Sequence, residues 1–315
     1  MFWNLDKVIL SESTALPVDW DSIMPSGRIF VEIGFGNGEF LEYLAGTYKD
    51  VLIVGVEVSQ MCASKGARRI LAAGFDNVRI MHGDARFLLR CCFRPESVER
   101  VFMNFPCPWP KARHASRRVT VPVFADLLNY ILKPGGTFEL ATDVDWYAEE
   151  AAKNIAESGA FDVDPIEIDP VRPYITKYER KWKSMGKSTW HLTLHKNGRV
   201  VPERYGDDDW QMEVETCGGK TVSEILGILK NTEGTGIGNM GHWIFRDAFI
   251  SDDGVGLVLV ITADEGFEQH FYLKLINNGR GVTVKVDSVG HPYKTPAMRG
   301  AIRQAIAAAS SSEDK

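Results

Sequence analysis

Residues 29–58 read IFVEIGFGNGEFLEYLAGTYKDVLIVGVEV, and the rest of the chain can be read outward from them. Two apolar runs of strand length, Ile29–Ile33 and Val51–Val58, flank a segment of helical period, Gly38–Tyr48. Continuous Val/Ile runs such as VLIVGVEV suit strands covered on both faces, as a parallel sheet between helices requires. Strand, glycine-rich turn, helix and second buried strand are the first repeat of such a sheet.

The alternation continues downstream. Val78–Met81, Val98–Asn104, Thr137–Thr142, Phe161–Ile168 and Trp190–His195 read as strands. Ser59–Ala73, Ala85–Cys92, Val121–Leu132 and Tyr147–Ser158 read as helices, with Gly74, Pro134-Gly135-Gly136 and Gly159 at their stops. The order predicts an α/β, doubly wound open sheet, whose ligands bind beyond the carboxyl ends of the strands. A linker is expected at Asn197–Asp209, dividing the chain into domains 1–205 and 206–315. Past it, Trp210–Thr216, Trp243–Ile250, Gly256–Ile261, His270–Leu275 and Val282–Val286 read as antiparallel strands, with Asn278-Gly279 as a hairpin turn. Val222–Leu229 and Ala297–Ala309 read as helices, which makes the second part a small α+β domain.

The chain has 315 residues, 44% hydrophobic and 25% charged, a composition that excludes disordered, collagen-like and coiled-coil classes. Its longest apolar stretches, Val51–Val56 and Val255–Ala263, fall far short of the ~20 residues of a membrane helix, so no membrane partner is expected. The start, MFWNLDKVILSEST, lacks the pattern of a signal peptide. Five cysteines form no CxxC pair, which points to reduced thiols and a cytoplasmic protein. No His or Cys stands at metal-ligand spacing, so no metal is expected, and His82 and His191 read as packing or polar groups.

Net charge is −6, yet residues 1–205 hold 26 basic and 26 acidic residues, and residues 206–315 hold 10 and 16. Within the neutral part, Lys111–Arg118 (KARHASRR) has four Lys/Arg and no acid, and Arg172–Lys187 has six against Glu179 alone. A polyanion responds to such local clusters, so both are candidate phosphate contacts, with Arg113, Arg117 and Arg118 beside Lys111 in the first.

Three strand ends converge on a cofactor site. The first carries Glu32 and then Gly34, Gly36 and Gly38; the second carries Glu57; the third leads to Asp84 in His82-Gly83-Asp84. Glu57 can accept from ribose hydroxyls and Asp84 from an adenine amino group, as suits NAD or S-adenosylmethionine alike. The GxGxG spacing, unlike the GxGxxG of pyrophosphate binders, together with the negative Glu32 favours the cationic methyl donor. The fourth strand runs into NFPCPWPK, where Pro106, Pro108 and Pro110 stiffen the loop and Trp109 offers a stacking face.

These segments resemble the bacterial tRNA (guanine-N7)-methyltransferase family through VEIGFGNG, GVEV, GDA, NFPCPWPKARHASRR, ATDVDWYAEE and RPYITKYE, over about residues 28–195. The resemblance implies a Rossmann-like class I methyltransferase fold and methylation of the variable-loop guanosine of tRNA (position 46) by S-adenosylmethionine. It places Glu32, Glu57, Asp84 and Cys107 at the donor, beside Gly34 and Gly36. It places Lys111, Asp143, Thr176, Lys177, Tyr178 and Glu179 at the tRNA or the guanine, with Arg113 in the same basic run. Cys107 stands where the family usually has an aspartate. Guanine N7 needs no base to deprotonate it, and nearby carboxylates help by stabilising the charge the ring acquires, so slowed or retuned activity is expected, with Asp143 and Glu179 near the base. Glu179 is further expected to accept from the N1 and N2 donors of guanine.

Two other readings remain open. Cys107 after Pro106 could be the nucleophile of an RNA cytosine-C5 methyltransferase, although Ala141-Thr142-Asp143 stands where that family carries Glu-Asn-Val. The chain could also bind tRNA without methylating it. For the acidic C-terminal domain, a scaffold role, a protein partner or self-association is expected.

Overall fold

The computed structural model describes residues 5–10, 17–111, 118, 122–198, 215–217, 220–239, 241–264, 267–287, 292 and 295–310. The chain forms two compact units, Met1–Arg204 and Tyr205–Lys315.

In the first unit the elements are α1 (Trp20–Ile23), β1 (Ile29–Ile33), α2 (Glu39–Thr47), β2 (Leu52–Glu57), α3 (Gln60–Ala73), β3 (Val78–His82), α4 (Ala85–Cys92), β4 (Val98–Asn104), α5 (Pro122–Ile131), β5 (Leu132–Thr142), α6 (Asp145–Ala156), β6 (Phe161–Val163), β7 (Glu167–Ile168), α7 (Lys177–Ser184) and β8 (Trp190–Lys196). The sheet order is β3-β2-β1-β4-β5-β8-β6, with β7 also paired to β8. β3 through β5 run parallel, and β8 is antiparallel to β5, β6 and β7. Every residue of β1 and β2 is buried, as strands covered on both faces must be. Order reverses between β1 and β4, so the carboxyl ends of β1, β2 and β4 open onto one crevice.

Three departures from the predicted elements lie between β5 and α7 of the first unit. The single strand expected over Phe161–Ile168 is two short strands interrupted at Pro165, which has no amide to give to a ladder. β5 begins at Leu132 and runs through Pro134-Gly135-Gly136, where a stop was expected. Lys177–Ser184, which its sequence marks only as a basic stretch, is helix α7: the Thr176 hydroxyl caps it by accepting from Glu179 N at 3.2 Å.

The second unit holds β9 (Glu215–Cys217), α8 (Val222–Leu229), β10 (Glu233–Thr235), β11 (His242–Ile250), β12 (Gly256–Asp264), β13 (Phe267–Asn277), β14 (Val282–Val286) and α9 (Pro296–Ala309). Its antiparallel sheet has the order β10-β11-β12-β13-β14-β9. Val258, Val260, Leu273, Leu275, Val282 and Val284 point to one face and form a core with Ile225, Leu229, Met298 and Ile302 of the two helices. A capping box between Thr221 and Glu224 starts α8. Asn278-Gly279 turns β13 into β14, with Gly279 at φ +81°. The expected strand Trp210–Thr216 falls largely outside the described residues. Among the described residues no helix is long and apolar enough to cross a membrane, and no cluster of His, Cys, Asp and Glu could hold a metal.

Candidate active site

The glycine turn after β1 owes its shape to two residues that sequence reading passes over. Gly34 and Gly36 take φ +70° and +58°, the left-handed region that a side chain resists. Between them Phe35, 5% exposed, drops its ring into a slot formed by Gly55 of β2 and Gly66 of α3. A Cβ on Gly55 would lie 2.7 Å from Phe35 Cδ1, and one on Gly66 would lie 2.6 Å from Phe35 Cε2. The turn is also pinned from β2: Glu57 Oε2 accepts from Gly36 N at 3.0 Å, while Glu57 Oε1 accepts from Ser59 N at 2.9 Å. Glu57, expected to accept from ribose hydroxyls, here holds two backbone amides, one of them in the turn.

Glu32 is 2% exposed. Its Oε1 accepts from Asn104 Nδ2 at 3.4 Å, and its Oε2 is buried with no hydrogen-bond partner. Burial pushes its carboxyl up to about 8, against smaller opposing effects from Asn104 and Arg172. The Asn104 side chain links this acid to a second layer: its Oδ1 accepts from Arg172 Nη2 at 3.0 Å, and Arg172 Nη1 donates to Glu179 Oε2 at 3.1 Å. Glu179 is fully buried, and Lys183 Nζ lies 3.1 Å from its other oxygen. A hydrogen-bonded chain therefore runs from the end of β1 through Asn104 of β4 to the Arg172–Glu179–Lys183 ion pairs at α7. Arg180 adds an outer clamp, donating to Glu39 at the start of α2 at 2.9 Å.

A cavity of about 220 Å³ lies against these groups. Glu32, Gly34, Gly36 and Asn104 line one side, and Thr176, Lys177 and Tyr178 of the α7 start line the other. The structure so brings together the glycine turn, Glu32 and the first turn of α7. Glu57, Asp84, Cys107, Lys111, Asp143 and Glu179 are not among its lining residues. Glu57 and Glu179 back the wall, as described. Asp84 caps α4, and both its oxygens face Arg86, at 2.8 Å from Arg86 N and 2.6 Å from Nη2. An adenine amino group would have to share that carboxylate. Glu179, expected at the guanine, is fully enclosed: Arg172 and Lys183 pair with its carboxylate, and its Oε1 has no hydrogen-bond partner among the described residues.

The proline-rich loop after β4 is held in unusual backbone conformations. Phe105 and Trp109 take φ +53° and +43°, which bulky residues adopt only under external constraint, at about 1–3 kcal/mol each. Part of the constraint is visible. Phe105 N donates to Ala141 O of β5 at 2.7 Å. Arg118 Nη2 donates to Trp109 O at 3.1 Å, its Nη1 donates to Glu150 of α6 at 2.7 Å, and its guanidinium lies 4.9 Å over the Trp146 ring. Arg118, expected at a phosphate, is thus a brace for the loop. Cys107 is exposed on that loop as a free thiol, and Lys111 is exposed at its end. Asp143, half-buried past the end of β5, has no hydrogen-bond partner among the described residues. Arg113, His114 and Arg117 lie outside the described residues. His191 is held neutral, with burial lowering its ring to about 4, and His82 Nε2 bonds Val58 O at 3.1 Å.

Asn104 and Arg172 link Glu32 to Glu179, a connection that the sequence reading did not single out although both residues stand inside quoted segments. Their signal lay in position: Asn104 ends a strand at the switch point, and Arg172 opens the basic stretch.

Comparison with known proteins completes the picture. A family model described as "Putative methyltransferase" matches residues 26–192. A tRNA (guanine-N(7)-)-methyltransferase of Thermotoga maritima is 39% identical over 290 residues, 91% of this chain and 91% of that protein. The same-named protein of Thermus thermophilus is 31% identical, over 89% of this chain and 88% of its own. One from Pseudomonas putida is 38% identical over 192 residues, 58% of this chain and 78% of its own. The Thermotoga match is longer than the first unit, so it extends into the second.

Proposed function

As the chain belongs to the tRNA (guanine-N7)-methyltransferase family, we propose that it transfers a methyl group from S-adenosylmethionine to N7 of a guanosine in tRNA, the variable-loop guanosine at position 46. The observation that carries this reading is Glu32: a buried carboxyl with one unpartnered oxygen, on the wall of a cavity bounded by a glycine turn. Such an oxygen fits a cationic donor and disfavours a pyrophosphate. The donor supplies a methyl carbon on a sulfonium, which the N7 lone pair takes while the sulfur leaves as a neutral thioether.

The chain's own residues do the rest. Glu32 offers its free oxygen to the donor's positive end, and Gly34 and Gly36 let the backbone approach without a Cβ. Glu57 keeps the turn in shape through Gly36 N. Lys177 and Tyr178 face the cavity from the α7 start, held there by Glu179 and Arg180. The braced loop carries Cys107 and Lys111 beyond the carboxyl end of β4, and Asp143 follows the carboxyl end of the neighbouring β5. No proton has to be abstracted from N7, so a cysteine at position 107 leaves the chemistry open and removes only one source of charge stabilisation. The cytosine-C5 reading loses its ground, since the relatives that match both units carry the guanine-N7 name.

The test is direct: incubate the protein with unmodified tRNA and labelled donor, digest, and identify the nucleoside. 7-Methylguanosine is expected at position 46. 5-Methylcytidine, or donor binding without transfer to any tRNA, would overturn the reading.

A further inference from the structure

Helix α3 carries a basic surface outside both cationic stretches of the sequence. Lys65 and Arg68 stand three residues apart on its exposed side, with Ala72 and Ala73 beyond them. With Asn37, Glu42, Arg69 and Lys177 they line an open groove of about 740 Å³. Glu42 is the acid of the groove, and it is committed: Arg69 Nη1 donates to it at 2.8 Å, and Arg69 Nε donates to Asn37 O at 3.0 Å. Lys65, Arg68 and Lys177 are exposed and have no ion-pair partner among the described residues. Three uncompensated cations therefore face one groove. Asn37, Lys65 and Lys177 also line the cavity beside Glu32, so groove and cavity share a rim.

The form of the groove selects its ligand. A single small anion is held by an enclosing set of donors, and this groove is open and lined by exposed alanines and exposed long cations. That arrangement suits a polyanionic strand, whose affinity comes from displaced counterions. We propose that the α3 groove binds the sugar-phosphate backbone of the tRNA beside its target guanosine, with Lys65, Arg68 and Lys177 neutralising phosphates. The proposal rests on the methyl-transfer reading above and adds a second backbone track to it.

Arg68→Gln is the clean probe, because Arg68 lines the groove and not the cavity. Binding of unmodified tRNA to the full chain is measured from 50 to 200 mM salt, alongside KM for tRNA and donor affinity by calorimetry. One lost phosphate contact should lower the slope of log affinity against log salt by about 0.7–0.9. Across that fourfold salt range the variant should lose about threefold less affinity than the wild type, with a raised KM for tRNA and unchanged donor affinity. Inorganic phosphate, added at matched ionic strength, should compete no better than chloride. A variant with the wild-type slope and KM, in a protein that methylates tRNA, overturns the groove alone, as does phosphate competing specifically. A wild type that binds donor but no tRNA overturns the functional reading and the groove with it.

Discussion

The two sheets differ in whether the residues they bury carry a carboxyl. In the antiparallel sheet, β12 and β14 bury every second residue, and those along them are apolar apart from Thr262 and Gly256. In the parallel sheet, β1 and β2 bury every residue, and two of these are the carboxylates Glu32 and Glu57 at the strand ends. A sheet covered on both faces makes a low-dielectric rim where strands stop. A carboxyl held at that rim stays charged only with a partner, and Glu32 has one oxygen without one. The difference teaches where chemistry can live: the buried residues along β12 and β14 carry no carboxyl, and the first sheet holds a buried carboxyl with one oxygen left for a ligand to complete.

The largest effect that could break this contrast lies in the second unit. Phe245, fully buried in its core, should cost about 3–5 kcal/mol as Phe245→Ala, read as unfolding of that unit, with donor affinity unchanged. A parallel loss of donor affinity would mean that the two regions are not separable in function. Next comes Glu32→Gln, which should weaken donor binding by about 2–5 kcal/mol in calorimetry. The same variant has a stability signature. Burial raises the Glu32 carboxyl from 4.5 to about 8, so the folded protein holds a proton that the unfolded chain releases. Stability of the donor-free protein should then fall as pH rises from about 4.5 to 8, and Glu32→Gln should flatten that fall in denaturant melts.

A smaller effect tests the support of the glycine turn. Gly66→Ala puts a methyl 2.6 Å from the Phe35 ring and should cost about 1–3 kcal/mol of stability. Because Phe35 sits between Gly34 and Gly36, donor affinity should fall with it; an unchanged affinity would show that the turn does not depend on that slot. The smallest concerns the loop. Arg118→Gln removes the brace on the Trp109 carbonyl and should lower kcat roughly five- to tenfold, the rate equivalent of about 1 kcal/mol, without altering donor affinity. A fall in tRNA affinity alone, with kcat intact, would return Arg118 to the phosphates.

The legible parts of this molecule are those whose pattern is local. VLIVGVEV announces a doubly covered strand, and Val282, Val284 and Val286 announce a one-sided one, because period and burial are the same fact. Glycines before an acid-ended strand announce a turn that approaches a ligand. What stayed hidden depends on partners far away in the chain. KYERKWKS is so polar that no apolar period marks it as a helix, and its stability comes from the Thr176 cap and from Arg172 gripping Glu179. Arg118 reads as one more cation in a basic run until Glu150 and the Trp109 carbonyl are seen around it. Asp84 reads as a free acceptor until Arg86, two residues on, folds back across it. Charge in a sequence gives the sign of a side chain, and only the fold tells whether that charge is already spent.

Donor binding in two buffers of different ionisation enthalpy tests the account at its centre. At pH 7 most of the empty protein carries a proton on Glu32, and a cation seated against the free oxygen should expel it. The account expects close to one proton released per donor bound, shrinking above pH 8 and absent in Glu32→Gln. A binding heat independent of buffer in the wild type, or a release that survives Glu32→Gln, would contradict it.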